Sequence, residues 1–267
     1  MSFRVEHLRF GYGEQQVLRD ISFHVNDGEI VSVLGPNGVG KSTMFRCILG
    51  FRKDYGGEIY IGDRNARELS AAELAKEIAY IPQSHYPAFN YSVFNMVLMG
   101  TCSHLSILNS PGKKQREAAM RALRRVGIEH LAEKSYLRIS GGERQLVLIA
   151  RALVQEAKIL ILDEPTANLD YGNQLRVMEQ LRQLTEEGYT VLQSTHNPEQ
   201  AFLFSDQVVA IKDGCVLAAG APEDVLTEQR ISDLYSADVE VHSIHGDKLR
   251  VCVPKFILKR GQSHEKE

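Results

Sequence analysis

Gly35-Pro36-Asn37-Gly38-Val39-Gly40-Lys41-Ser42 is the stretch of the chain that decides the fold. It satisfies the pattern G-x-x-x-x-G-K-[ST], in which successive backbone N–H groups surround phosphate oxygens, the lysine reaches the outer phosphates and the final hydroxyl can ligate Mg²⁺. An apolar run, 30–34, precedes the motif, and a segment of helical character, 41–49, follows it. Because strand, glycine loop and helix are the context that a phosphate loop requires, the sequence predicts an α/β nucleotide-binding domain.

Two further motifs lie downstream of the phosphate loop. Ser140-Gly141-Gly142-Glu143 comes first, and the apolar run 159–162 then leads directly into Asp163 and Glu164. The serine and glycines begin a helix, so their free N–H groups form a second anion site, for which a single chain has no second nucleotide. Adjacent carboxylates at the end of a buried strand are costly unless a cation or hydrogen-bond donors compensate them, so we expect Asp163 to hold Mg²⁺ together with Ser42.

Composition limits the classes of function. The chain has 267 residues, 43% of them hydrophobic and 24% charged, which is enough for a substantial core in at most two lobes. The net charge of −3 provides no field that favours nucleic acid, so none is expected as a partner. The four cysteines form no C-x-x-C pair, and no apolar run approaches the ~18 residues of a membrane span. If the protein works at a membrane, another chain must supply the span.

The remaining patterns divide the chain into three parts. Strands are predicted at 3–10 and 17–25, joined through a turn at 11–14, and they form an antiparallel subdomain. Strands at 159–162, 190–194 and 207–212 alternate with helices at 173–185 and 198–204, which predicts a parallel sheet covered on both faces. We therefore expect a nucleotide-binding core at 1–83 and 156–235, an inserted helical lobe at 84–155, and a tail at 236–267 in which a hairpin of strands 239–243 and 248–253 is followed by a disordered polar end.

The order of the motifs resembles that of ABC transporter ATP-binding subunits, from about Phe3 to about Tyr235. The resemblance implies a P-loop NTPase fold of the ABC cassette type, with an antiparallel β subdomain, a mostly parallel core sheet and an inserted helical lobe. Residues 91–100, 142–153 and 169–174 resemble the importer branch that handles iron–siderophore, haem, cobalamin and molybdate or tungstate. Ile139 and Glu143 depart mildly from the usual leucine and glutamine, and Thr101-Cys102-Ser103-His104 departs from the arginine and proline of siderophore and cobalamin members, which weakens the substrate assignment.

The same resemblance implies individual roles in the hydrolysis of ATP. Glu164 would be the general base, His196 would orient the water and the γ-phosphate, and Gln83 would contact Mg²⁺ and water. Tyr12 would stack on adenine, with Val17 at the edge of the same ring. The rest of the ATP site would be the phosphate loop and the residue after it: Gly35, Pro36, Asn37, Gly38, Val39, Gly40, Lys41, Ser42 and Thr43.

A second copy of the chain would complete the site. In the family two cassettes face head to tail, so that Ser140, Gly141 and Gly142 of one close over the γ-phosphate bound by Lys41 of the other. Asp170 would lie at the seam of this dimer. ATP then holds together an interface with twofold symmetry.

The resulting hypothesis is an energy-coupling subunit on the cytoplasmic face of the membrane, which works with an integral-membrane permease and, indirectly, with a periplasmic or extracellular solute-binding protein. The main alternative is a soluble ABC ATPase without a permease, of the assembly-factor type. In chromosome-maintenance ATPases a long coiled coil separates the phosphate loop from the Asp-Glu strand. No heptad run lies between Lys41 and Asp163 here, so that class is disfavoured. Among the aromatic residues after Gln83, we expect Phe94, with Val97, to lie in the core and at least one of Tyr86, Phe89 and Tyr91 to contact the permease.

Overall fold

The computed structural model describes residues 3–83, 87, 89–104, 110–244, 246 and 249–257, and its elements are given for that part of the chain. The strands are β1 (Phe3–Tyr12), β2 (Gln15–Val25), β3 (Ile30–Leu34), β4 (Gly56–Ile61), β5 (Arg64–Asn65), β6 (Ile78–Ile81), β7 (Ile159–Leu162), β8 (Thr190–Thr195), β9 (Gln207–Lys212), β10 (Cys215–Gly220), β11 (Val239–Ile244) and β12 (Leu249–Pro254).

The helices connect these strands and fill the segment between β6 and β7. They are α1 (Lys41–Ile48), α2 (Ala71–Glu77), α3 (Val93–Leu98), α4 (Lys113–Arg125), α5 (Gly141–Leu153), α6 (Tyr171–Glu186), α7 (Pro198–Phe204), α8 (Pro222–Val225) and α9 (Glu228–Tyr235). Short 3₁₀ helices lie at Met99–His104, Glu129–Leu131 and Tyr136–Arg138.

One large sheet has the strand order β5-β4-β1-β2-β10-β9-β3-β8-β7-β6. Strands β9, β3, β8, β7 and β6 pair in parallel, whereas β1 pairs antiparallel with both β2 and β4. A single parallel pair, Cys215 with Asp20, joins the two regions. Both the predicted antiparallel region and the predicted parallel sheet are confirmed.

Burial explains why strands β3 and β7 read as apolar runs. Every residue of β3, β7 and β8 is buried, because helices cover both faces of that region. In β1, by contrast, buried and exposed residues largely alternate. The carboxyl ends of four adjacent parallel strands, β3, β8, β7 and β6, consequently meet at one edge, where α/β sheets bind their ligands.

Some boundaries differ from those predicted. Strand β1 continues through Tyr12, which was predicted to lie in a turn, and the turn itself consists of Gly13 and Glu14. Helix α6 begins two residues earlier than predicted, because the Asp170 side chain caps its N-terminus by accepting a hydrogen bond from the Asn173 N–H at 2.9 Å.

The segment between β6 and β7 is helical in its described part and packs on one face of the sheet. Helix α5 has eight buried residues, as its nearly all-apolar sequence predicts. Its core is continuous with Leu160 and Leu162 of β7 and with Val191 of β8. Phe94 and Val97 are buried there at 8% and 0% exposure, which confirms the prediction that they are core residues.

Strands β11 and β12 form the predicted hairpin, with Val239 paired to Pro254. It contacts the core through α7, where the Cys252 N–H donates to the Glu199 carboxylate at 3.2 Å. Of the end predicted to be polar and disordered, residues 255–257 have helical backbone, and 258–267 lie outside the described residues, as do His245, Asp247 and Lys248. No helix in the described ranges is long and apolar enough to cross a membrane.

Candidate active site

The predicted catalytic side chains meet where the four parallel strands end. The phosphate loop follows β3, His196 follows β8, Asp163 and Glu164 follow β7, and Gln83 lies two residues after β6. Each strand supplies a different group, and their pairing fixes the separation of these groups. A polar cavity of about 320 Å³ at this edge is lined by Asn37, Gln83, Glu164, Thr166, Ala167, Asn168, Gln174, Thr195, His196, Asn197 and Gln200.

Glu164 is the centre of this cluster. Its carboxylate lies 3.3 Å from Nδ1 of His196, 3.4 Å from Nε2 of Gln83 and 3.8 Å from Nζ of Lys41. Its backbone is in the left-handed region, with φ 46°, which is costly for a non-glycine residue. The backbone N–H of Glu164 donates to Oγ of Ser194 at 2.9 Å, which helps to hold this conformation.

The Lys41 ammonium is buried at 6% exposure in the phosphate loop, where it donates to the carbonyls of Gly35 at 2.6 Å and Pro36 at 3.2 Å. Burial lowers the pKa of Lys41, and the nearby carboxylates of Glu164 and Asp163 oppose that shift. Helix α1 begins after Gly40, whose φ of 113° excludes most side chains and whose added Cβ would lie 2.8 Å from Leu18. The loop therefore needs glycine there.

Two hydrogen bonds fix the position of Asp163 at the end of β7. Its Oδ1 accepts a hydrogen bond from the Ser194 hydroxyl at 2.6 Å, and its N–H donates to the Ile81 carbonyl at 3.0 Å. Ser42 is exposed at the start of α1. The described residues contain no group of three or more His, Cys, Asp or Glu side chains that could hold a metal. The Asp163 carboxylate and the Ser42 hydroxyl are oxygen donors, the ligand type that Mg²⁺ takes when it binds phosphates in addition to one or two protein groups.

Tyr12 lies beside α1 and exposes 37% of its surface. Its hydroxyl is 3.4 Å from the Arg46 guanidinium, and hydrogen bonds from Arg46 and then Thr43 lower the pKa of the phenol. Val17 contacts the phosphate loop: it lines a second cavity, of about 400 Å³, that also includes residues 36–39, whereas Tyr12 is not part of that lining. The structure thus places Val17 against the phosphate loop and Tyr12 beside α1.

Ser140, Gly141 and Gly142 are not part of the cavity lining around Glu164. Ser140 caps α5: its hydroxyl accepts from the Glu143 N–H at 3.3 Å, while the Glu143 carboxylate accepts from the Ser140 N–H at 2.7 Å. These reciprocal bonds form a capping box, for which Glu143 is as suitable as glutamine. Ser140 and Gly141 are exposed, so this helix end faces outward from its own chain.

Asp170 lies beside that helix end. Besides capping α6, it accepts a hydrogen bond from the Asn173 side chain at 2.6 Å. A Cβ added to Gly142 would lie 2.3 Å from Oδ1 of Asn173, so glycine is what allows α5 and α6 to approach here. Sequence reasoning missed Asn173, and it also missed Thr166, Thr195 and Gln200 of the cavity, although Gln200 stands four residues after His196.

Together, the phosphate loop, the carboxylates after β7 and the doubly wound sheet define a P-loop nucleotide-binding protein. The ABC transporter family model matches residues 18–167. Among curated relatives, the iron(3+)-hydroxamate import ATP-binding protein FhuC of Bacillus subtilis is 31% identical over 97% of this chain and 96% of its own length. The ferric enterobactin transport ATP-binding protein FepC of Escherichia coli is 32% identical over 87% and 86%.

A solved structure described as an inward-facing metal-chelate type ABC transporter contains a chain that superposes with a TM-score of 0.85, at 30% identity, covering 96% of this chain and 99% of that one. The chain belongs to the ABC transporter ATP-binding family.

Proposed function

We propose that this protein hydrolyses ATP to drive an importer for a metal chelate, as two copies that bind ATP between them on the cytoplasmic face of a membrane. The observation that carries the proposal is the convergence of Lys41, Gln83 and His196 on the Glu164 carboxylate. A carboxylate with an imidazole and an amide at hydrogen-bonding range, beside a buried ammonium in a phosphate loop, is suited to attack of water on a phosphoryl group.

Each side chain has a separate task in this mechanism. Lys41 and the amides of the phosphate loop neutralise the β- and γ-phosphates. Glu164 accepts the proton of the attacking water, while His196 and Gln83 hold the water and the γ-phosphate in line. Asp163 and Ser42 would hold Mg²⁺, which supplies positive charge to the phosphate oxygens when it is bound.

The N-terminus of α5 points to a second copy as partner. Ser140 and Gly141 are exposed at the N-terminus of α5 and do not line their own chain's cavity. The first N–H groups of a helix have no partner within the helix and favour an anion. In a head-to-tail dimer these donors would meet the γ-phosphate held by Lys41 of the other copy, with Asp170 at the seam.

The relatives support the transport role and the class of solute. Proteins named for iron(3+)-hydroxamate and ferric enterobactin match nearly the full length of this chain, and so does the chain from the metal-chelate transporter. We therefore place iron–siderophore first among the solutes predicted from the sequence, ahead of haem, cobalamin and molybdate or tungstate. An integral-membrane permease and a solute-binding protein would complete the transport system. Within this chain, the nucleotide-binding core, the helical lobe and the tail would have the boundaries predicted from the sequence.

The experiment uses the source cells. A tagged copy is purified from solubilised membranes to identify co-purifying permease subunits, and uptake of each labelled solute is compared between wild type and Glu164→Gln. We expect a multi-span protein to co-purify and uptake of a ferric siderophore to be lost in the variant. A chain found only in the soluble fraction, with uptake of all four solute classes unchanged, would instead support the soluble ABC ATPase without a permease.

A further inference from the structure

Gln200 is a buried polar side chain at the base of the candidate active site. It lies in the first turn of α7 with 7% exposure, and it lines the same cavity as Glu164 and His196. A buried amide costs stability unless its donors and acceptor are satisfied, so its partners indicate what it does.

Both ends of the Gln200 amide bind threonines next to catalytic residues. Its Nε2 donates to Oγ1 of Thr166 at 2.9 Å, and its Oε1 accepts from Oγ1 of Thr195 at 3.2 Å. Both threonines are buried, at 7% and 5% exposure. Thr166 stands two residues after Glu164, and Thr195 stands directly before His196. One side chain thus connects the loop after β7 with the loop after β8.

The start of α7 fixes the position of this amide. The Asn197 side chain caps the helix by accepting from the Gln200 N–H at 3.1 Å, and the Asn197 N–H donates to the Thr195 hydroxyl, also at 3.1 Å. Pro198 at the first helical position restricts the backbone further. The bridge is therefore built on a rigid element.

The loop after β7 needs such a support, because two of its residues have left-handed backbone, Glu164 with φ 46° and Asn168 with φ 61°. Conformations of this kind persist only when their surroundings hold them in place. Thr166 lies between these two residues, and its hydroxyl is tied to Gln200. Without that tie, Glu164 would be less firmly held at 3.3 Å from His196.

We propose that Gln200 is a positioning residue, which holds the Glu164 loop and the His196 loop in register for attack of water on the γ-phosphate. The inference rests on the proposed function, because it assigns Gln200 to the same hydrolysis. Small displacements of catalytic groups reduce kcat strongly while substrate binding, which depends on the phosphate loop, is little changed.

The chain offers a matched control for the effect of burial alone. Gln193 lies in the middle of β8 with 0% exposure, and its Nε2 donates to the Ser32 hydroxyl at 3.0 Å, in the body of the sheet. Gln200→Met and Gln193→Met each remove one buried amide and keep its length. Only the first breaks the bridge between the two loops.

The test measures kcat for ATP, ATP affinity and melting temperature in Gln200→Met, Gln200→Glu, Gln193→Met and Glu164→Gln. For Gln200→Met we expect kcat to fall about tenfold, equivalent to about 1.4 kcal/mol of transition-state stabilisation, with ATP affinity within about threefold of wild type. Gln200→Glu should restore most of the kcat, since a carboxylate can accept from both threonine hydroxyls. Gln193→Met should lower the melting temperature but not kcat.

Thr166→Val keeps the proposal testable if Gln200→Met fails to fold. It removes the Thr166 side of the bridge, so kcat of Thr166→Val alone should fall while its ATP affinity stays near wild type, and an unchanged kcat would count against the bridge. Where Gln200→Met folds, the effects of the two substitutions should not add in the double variant. A kcat of Gln200→Met equal to that of Gln193→Met, or additive effects of Thr166→Val and Gln200→Met, would overturn the positioning role. If the wild-type protein itself hydrolysed no ATP, the proposed function, and not only the positioning role of Gln200, would be wrong.

Discussion

Glu164 is the residue on which the hydrolysis mechanism depends most. Replacing it by glutamine keeps its size but removes the proton acceptor, so we expect hydrolysis to fall by roughly 10²–10⁴-fold, the usual contribution of a positioned base. ATP binding should be intact, because Lys41 and the phosphate loop are unchanged. Turnover of Glu164→Gln within a few-fold of wild type, measured by phosphate release, would transfer the base role to His196.

Glu143 makes the start of α5 sensitive to acid. Hydrogen bonds from the backbone N–H and then the side chain of Ser140 hold the pKa of the Glu143 carboxyl below its ordinary value. Its stabilising contribution is therefore complete above the ordinary carboxyl pKa and is lost as the pH falls through the lowered one. We expect the melting-temperature advantage of wild type over Glu143→Gln to be present at about pH 7 and to shrink by about pH 3. A difference that does not depend on pH would contradict this.

The predictable residues of the site are those whose chemistry needs a fixed local pattern. The phosphate loop, Asp163 and Glu164 are visible in the sequence because strand, turn and cation-binding group follow one another along the chain. The Gln200 bridge was not predictable, since its partners, Thr166 and Thr195, belong to two loops that only the pairing of β7 with β8 brings together. A single threonine or glutamine in the sequence does not indicate such a contact.

At the scale of elements, the connection from Gln83 into the helical segment contains both an aromatic residue that packs against the core and one that is exposed. Tyr91 packs against the core of that segment, and its carbonyl accepts from the Tyr136 N–H at 2.9 Å. Phe89, 6.1 Å away between ring centroids, is 69% exposed. Tyr86 lies outside the described residues. Among the described residues of this group, Phe89 is therefore the one most suited to contact the proposed permease.

We expect Phe89→Glu to abolish solute uptake while ATPase activity and melting temperature of the isolated subunit stay near wild type, as for most surface substitutions. Tyr91→Glu is the matched control, because a charge placed in the core should lower the melting temperature as well. If Phe89→Glu destabilises the subunit as much as Tyr91→Glu does, or leaves uptake unchanged, the contact with the permease lies elsewhere.

The strands and helices that were predicted best are those with the most regular apolar patterns. Strands β3 and β7 consist mainly of apolar residues, and their positions were predicted closely, as was that of the buried but more polar strand β8. The start of α6 was predicted too late because Asp170 acts through its side chain as a cap rather than through apolar periodicity. Tyr12 was placed in a turn because glycines flank it, yet its pairing with Gln15 extends the strand.

At the scale of the whole molecule, the joining of two sheet regions could not be predicted from local pattern. It depends on one parallel pair, Cys215 with Asp20, between residues distant in sequence. The outward-facing helix end at Ser140 is likewise a property of the folded chain. In the proposed dimer this helix end completes the ATP site of the other copy.

The proposed ATP site between two copies of the chain is tested most directly by light scattering on Glu164→Gln with and without Mg-ATP. In the proposed dimer the phosphate charge is shared between Lys41 of one chain and Ser140 of the other, so we expect a dimer only when Mg-ATP is present. Adding Lys41→Ala or Ser140→Arg to the same background should leave a monomer under identical conditions. A dimer that forms without nucleotide, no dimer with Mg-ATP, or a dimer that survives Ser140→Arg would contradict the shared site.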